Sequence, residues 1–449
     1  MSDRTVGEHD TDIARPRTSS DRPAGWSGGQ GQPHAKVATY WWGYEIQLNR
    51  YAVRHFDEGL SLVHDAVAPV PPLDRLLTAQ ILASYQDAIR KVSRDGQTGC
   101  KLSAPWVVPR TLTPSYWDDG EGATQPPPPS ESTLNWAIYD VAEKQWATRH
   151  ELLEHESAGR PSLAVVSRGG DDTVFCVHRG GEGGEQLRHA ALDARSGRWW
   201  GDTAPGPTRC GTDPAATTLT ERMHVLCVYR SAVDGNALRY SVISGQEWNP
   251  VDRSIDGEPR SRVAPALTRR CLVFSHSEEG GQLYYQQFEN SDDGIDYDRI
   301  RWDSARRILD VRSEFTPAVA WLGDYLVVVY RDDEGHLCSA VGDLDGSGPF
   351  YDVRWKDRQR LLSRAGEAGA SLLEHEGTLY CLFPSPDGGR LCLQRGTMEP
   401  GDLGHVRWLH EAEQLPEEHR SPTGASLCYV RDPNAGVQSD HLLCMYKSS

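Results

Sequence analysis

The chain has 449 residues, 38% of them apolar and 25% charged, with a formal net charge of −17. That length holds two or three domains or one large repeat array, and the apolar content is that of a folded protein. The negative surplus repels phosphate backbones and argues against nucleic acid as a partner. No stretch approaches 18 uncharged apolar residues, so no membrane span is expected.

Residues 1–36 are Gly, Ser, Pro, Asp and Arg with few large apolar groups, and read as a disordered tail. They contain no apolar core of a secretory signal, so a cytoplasmic location is expected. Residues 37–120 read as a small α+β unit. "VATYWWGYEIQLN" is an extended, aromatic segment. A helix follows over about 50–67, with Tyr51, His55, Phe56, Leu60 and Val63 on one side, and "APVPP" ends it. Asp74 looks like the N-cap of a second helix whose Leu77, Ile81, Tyr85, Ala88, Ile89 and Val92 recur every three or four residues. "CKLSAPWVVPRTLTPSYW" returns to extended structure, giving a β-α-α-β order. Residues 121–132, acidic and then four prolines long, form a semi-rigid linker.

From 133 to 449 the chain repeats. "GRPSLAVV", "GTDPAATT", "RVAPALTR", "EFTPAVAW", "GEAGASLL" and "SPTGASLC" align with Pro161, Pro214, Pro265, Pro317, Gly369 and Gly424 as anchors. Each is followed by an apolar second strand ("TVFCVHRG", "HVLCVYRS", "CLVFSHSE", "YLVVVYRD", "LYCLFPSP", "HLLCMYKS"). A third strand and a tryptophan-led fourth follow, at Trp200, Trp248, Trp302, Trp355 and Trp408. The sixth copy has only two strands. Its other half stands after the linker, in "LNWAIYDV" and a strand led by Trp146. Four-stranded units at this period predict a six-bladed β-propeller, closed by a split blade and preceded by the α+β unit. Cysteines recur inside the second strands (Cys176, Cys227, Cys381, Cys444), which marks them as core rather than disulfide partners.

"FCVHRG" and "LCVYRS", each after a "P-A-L"-like strand and before a "G…L-Y/R-Y…G…W" segment, resemble the six-bladed sialidase-like and fucose-lectin-like propellers of bacteria and fungi. The segment opening "YWWGYEIQLN" is similar to small units of uncharacterised actinobacterial proteins. The lectin resemblance implies sugar held between blades by an arginine, an acid and an aromatic. Arg179, Arg230, Arg331 and Lys447 end second strands, with His276 and Pro384 read at that place in the other two blades. Tyr229 and Tyr330 precede two of the arginines. These residues and Trp248, Trp302, Trp355 and Trp408 are the candidate ligand contacts. The same arginines also suit pairing with Asp332, Asp333 or Glu334, or with a neighbouring blade. A tryptophan in every unit equally suits a structural cap.

The sialidase resemblance implies Asp boxes and an F/Y-R-I-P segment, and the sequence has neither. It has no HExxH, P-loop or GxGxxG, so no catalytic residue and no cofactor is assigned. "NSDDGIDYD" and "DLDGSG" carry oxygen ligands at alternate positions but no closing bidentate acid, so no metal is assigned either. The expected function is a non-catalytic, glycan-binding propeller, the partner being a glycan or small molecule. A glycoside-processing enzyme with its site in the funnel and a protein–protein scaffold are the alternatives. The oligomeric state is left open.

Overall fold

The protein is described by a computed structural model. It covers residues 32–40, 43–68, 73, 77–105, 112–120, 132–147, 149–168, 171–180, 184–193, 198–205, 208–220, 224–245, 247–249, 252–289, 300–345, 350–356, 358–399, 402–409, 411–431 and 441–448. Most of the expected tail, the Pro-rich linker, Asp74 and the larger part of both acidic loops lie outside these residues.

The first unit has more strands than its sequence suggested. Each extended segment folds as an antiparallel pair: β1 (Ala35–Tyr40) with β2 (Gly43–Leu48), and β3 (Gly99–Pro105) with β4 (Thr113–Trp117). The sheet order is β1-β2-β3-β4. The expected β-α-α-β is therefore a β-β-helices-β-β unit. The aromatic run before Gly43 hid this turn, because it reads as one continued strand. Each expected helix is likewise two short ones: α1 (Arg50–Arg54) and α2 (Phe56–Val67), then α3 (Ala79–Ser84) and α4 (Gln86–Val92).

Asn49 caps α1, accepting from Ala52 N at 3.0 Å. Its amide also donates to Gln32 O at 2.8 Å, so one side chain fixes both the helix start and the strand entry. Arg50 makes a partly buried ion pair with Asp119 at 2.6 Å, tying α1 to the end of the unit. Tyr44, Ile46, Leu102, Ile89 and Phe56 are among the side chains of its own core.

Six further sheets follow, each antiparallel with four or five strands. The strands nearest the axis are Ser162–Arg168, Ala215–Thr220, Ala266–Thr268, Ala318–Leu322, Ser371–His375 and Ala425–Tyr429. Each touches the next, and the last touches the first, so the ring is closed. We number the blades 1 to 6 in that order. In blade 6, His441–Lys447 pairs along its whole length with Thr133–Asp140, from His441 opposite Asp140 to Lys447 opposite Leu134. Gln145–Trp146 and His150–Glu156 then complete the blade. All ten cysteines are buried and unbridged. Among the described residues no helix is long and apolar enough to cross a membrane.

The strand pairing fixes the repeat register. The third-strand residues opposite the six tryptophans are Tyr139, Leu192, Ile243, Phe288, Gly342 and Gly396. In blade 1 the tryptophan is Trp199, one residue before the Trp200 suggested by sequence. On the axis, Pro161, Pro214, Pro265 and Pro317 are matched by Ala370 and Ala425 rather than by the glycines before them. Second residues of the axial triplets alternate in chemistry. Ser162, Ser371 and Ser426 stand in blades 1, 5 and 6, and Ala215, Ala266 and Ala318 in blades 2 to 4. Each serine accepts a backbone N–H from the next blade: Ser371 from Leu427 at 3.4 Å, Ser426 from Leu163 at 3.2 Å, Ser162 from Ala216 at 2.9 Å. These three bridges flank the split blade on both sides.

The split blade also holds buried histidines. His150 stacks on Trp136 at 4.2 Å, and Trp136 Nε1 donates to Thr113 Oγ1 of β4 at 3.2 Å, docking the first unit on this blade. His419 Nε2 lies 3.1 Å from Ala147 O and Nδ1 2.8 Å from Tyr446 Oη. A carbonyl only accepts, so Nε2 carries the proton and Nδ1 accepts from the tyrosine. Burial lowers both imidazoles, His150 to about 3 and His419 to about 4.

Two outcomes follow. Removing residues 441–449 leaves Thr133–Asp140 and Ala425–Tyr429 without their shared neighbour. Calorimetry of that truncation is expected to show no cooperative transition for the propeller, and limited proteolysis to cut first in blades 1 and 6. For pH, both histidines have folded values below the unfolded value of about 6.5, so the unfolded chain binds more protons between the two. Stability is complete above about pH 6.5 and falls as pH drops toward 4, with a slope approaching about 2.7 kcal/mol per pH unit from the two groups. Urea midpoints at pH 7, 6 and 5 measure this, and His419→Gln is expected to flatten the slope.

Candidate functional site in the clefts between blades

Pairing with the third strand shows what occupies the cation position. Arg179 lies opposite Leu187, Arg230 opposite Leu238, Arg331 opposite Leu337, Lys447 opposite Leu134 and Pro384 opposite Leu391. In blade 3 the residue opposite Leu283 is Ser275. His276 is one step beyond, equivalent to Asp332 rather than to Arg331. The short apolar run of that blade, "CLVFS", gave the sequence alignment too little to hold its register.

The three arginines repeat one job. Each binds the segment leading into its own blade and the segment leading into the next. Arg179 donates to Ala158 O at 3.3 Å and pairs with Asp213 at 3.4 Å. Arg230 donates to Gly211 O at 2.9 Å and to Arg262 O at 3.0 Å. Arg331 lies 3.8 Å from the Phe315 ring centroid and donates to Ala365 O at 2.9 Å. A planar fork with five donors suits such bridging better than a lysine would. Their partners are thus the segments at the blade junctions, and Asp332 and Glu334 are bound by Arg360 instead.

The tryptophans repeat another. Trp248 donates to Thr203 O of blade 1 at 3.3 Å, and Trp408 to Ser339 Oγ of blade 4 at 3.1 Å. Trp302 packs on Tyr240 of blade 2 at 5.8 Å, and Trp355 edge-on to Tyr285 of blade 3 at 5.5 Å. Each leans on the preceding blade. Tyr229 is fully buried and donates to Asp252 at 3.0 Å. Burial raises its hydroxyl well beyond the usual range.

Two of the sequence candidates come together in a cleft of about 330 Å³ between blades 2 and 3. Its walls include His276, Trp302, Phe274 and Tyr284, with Asp256, Glu258 and Asp303 at the edges. Tyr284 stacks on Phe274 at 5.9 Å and meets His276 at 5.1 Å. Its hydroxyl donates to Glu279 at 2.8 Å and accepts from Arg307 Nε at 2.8 Å, and Arg307 closes the triangle on Glu279. The Tyr284 hydrogen bond and the Arg307 charge hold the Glu279 carboxyl below its ordinary range. Aromatic faces thus stand beside a fixed acid, hydroxyl and guanidinium.

The equivalent cleft between blades 3 and 4, about 600 Å³, differs in chemistry. It contains Tyr330, with Asp332 in the place of His276, Cys338 in that of Tyr284 and Arg360 in that of Arg307. Arg179, Arg230, Tyr229, Lys447, Trp248, Trp355 and Trp408 line neither cleft. Sequence reading missed Tyr284, Glu279 and Arg307. Their signal is a recurrent acid in the turn after strand two (Asp234, Glu279, Asp332) facing a basic residue farther along the same blade (Arg239, Arg307, Arg360).

The chain matches no protein-family model and no curated protein. Among solved structures it is similar to the fucose-specific lectin from Aleuria aurantia, at 11% identity over 60% of this chain and 84% of that one, with a TM-score of 0.39. It is similar to a mutant of AofleA from Arthrobotrys oligospora at 12% identity, over 78% and 86%, with a TM-score of 0.41. It is also similar to a GH43 β-xylosidase/α-arabinofuranosidase from a compost microbial metagenome at 14% identity, over 56% and 94%, with a TM-score of 0.33.

Proposed function

We propose that the propeller binds carbohydrate, and that the cleft between blades 2 and 3 is a sugar site. The observation that carries this is the Tyr284–Glu279–Arg307 triangle set against His276, Phe274 and Trp302. A pyranose has one apolar C–H face and a rim of hydroxyls. The face packs on an aromatic ring, and the rim needs donors and acceptors already in place. A carboxylate and a guanidinium held by one phenol supply both without reorganising when the ligand arrives. A cleft of this kind favours neutral sugars, because its aromatic wall supplies area and its charges are already paired.

Calorimetric titration with neutral monosaccharides, fucose included, and with sialic acid tests the reading. Dissociation constants on the order of 1 mM are expected for neutral sugars, with Tyr284→Ala and His276→Ala each weakening binding about tenfold or more. No heat with any sugar at about 10 mM, or equal affinity in both variants, would show that the cleft binds no sugar.

A further inference from the structure

The axis of the ring carries a second feature, unrelated to the clefts. A cavity of about 90 Å³ is walled by three residues from each blade and by one long side chain, Arg160. Arg160 precedes the Pro161 triplet. Its equivalents are Asp213, Ala264, Thr316, Gly369 and Gly424. The side chain leaves blade 1, passes blade 6 and reaches blade 5, where Nη1 donates to Ala370 O at 2.9 Å. The glycine in blade 6 makes the path: a Cβ on Gly424 would lie 3.3 Å from Arg160 Cδ. Arg160 is only 8% exposed.

Its charge has only a shared counter-ion, the buried Asp213, which Arg160 and Arg179 both attract. Among the described residues no carboxylate lies within ion-pair distance of the Arg160 guanidinium, and the nearby Asp213 is engaged by Arg179. No Asp or Glu lines the cavity. A buried cation that must share its one anion with a second cation remains under-compensated. Arg160, Arg179 and Asp213 together leave one positive charge in excess, in a chain of net charge −17.

The cavity wall supplies donors in the same place. Ser162, Ser371 and Ser426 line it, and each Oγ accepts a backbone N–H. A hydroxyl that accepts this way still has its own proton to give. Among the described residues none of the three protons has an acceptor. The serines stand in blades 5, 6 and 1, the sector that Arg160 spans. They lie one residue, about 3.3 Å, farther along the inner strands than the Ala370 carbonyl it binds. The opposite wall has Ala215, Ala266 and Ala318 at the same level, so the donors face one side only.

We propose that this axial cavity holds a small monovalent anion, a halide ion or a carboxylate no larger than acetate, against Arg160 and the hydroxyls of Ser162, Ser371 and Ser426. The anion completes the charge of Arg160 and so clamps blades 1, 5 and 6 together at the split blade.

The test is thermal unfolding of the full chain in sodium bromide, acetate or gluconate at constant ionic strength, together with a crystal grown in bromide. Bromide or acetate is expected to raise the midpoint saturably, by about 2 °C or more over gluconate, which is too large for the cavity. Bromide is expected to give an anomalous peak on the axis. Arg160→Met is expected to abolish the difference. Should that variant not fold, the triple variant Ser162→Ala, Ser371→Ala, Ser426→Ala retains Arg160 and is expected to reduce the difference at least threefold. Equal midpoints in all three salts, or a difference that survives undiminished in the folded variants, would overturn the proposal.

Discussion

The ladder between His441–Lys447 and Thr133–Asp140 is the constraint on which the propeller depends. An open arc of blades would end in two exposed strand edges, each a row of unpaired backbone groups. Here the two edges satisfy each other, so closure costs no covalent link and needs no disulfide. The protein concentrates reinforcement at that point. Serine bridges join blades 5, 6, 1 and 2, His419 and Tyr446 bond across the ladder's end, and Trp136 fastens the blade to the first unit. Blades 2 to 4 are continuous in sequence and manage with alanines at the serine positions.

The ring was legible because its signals are redundant. Six copies of an apolar strand and six tryptophans at a constant period leave little freedom of topology, and the half-copies at 133 and 441 complete one another. What sequence reading could not fix was register. A tandem tryptophan pair in blade 1, "WW", offers two choices one residue apart, and only the strand pairing selects Trp199. "CLVFSHS" has one polar residue too early, which moves His276 out of the cation row and into a cleft. A one-residue slip on a strand exchanges its two faces, so these small errors decide what a side chain can touch. The pairing of Tyr40 with Gly43 escaped for a related reason: the aromatic run there reads as a single strand.

The same register explains how the site was partly missed. The conspicuous repeated residues, arginines in three blades and tryptophans in all six, sit at the junctions between blades, where a contact used in several blades must be encoded in each. Residues that differ between copies are the ones at liberty to serve a ligand. His276 and Tyr284 in one cleft, with Arg307 bonded to Tyr284 beside it, are Asp332, Cys338 and Arg360 in the next. Equivalent clefts with unequal walls give one scaffold several chemistries at no cost to the fold.

The sequence distance spanned by the ladder sets an order of events during synthesis. Thr133–Asp140 leaves the ribosome early and waits through roughly 300 residues for His441–Lys447. At ordinary elongation rates that is a delay of about 15 to 60 s. Through that interval the outer half of blade 6 has an apolar, unpaired edge. The Trp136–Thr113 contact, by contrast, spans only 23 residues and needs none of the later chain to form.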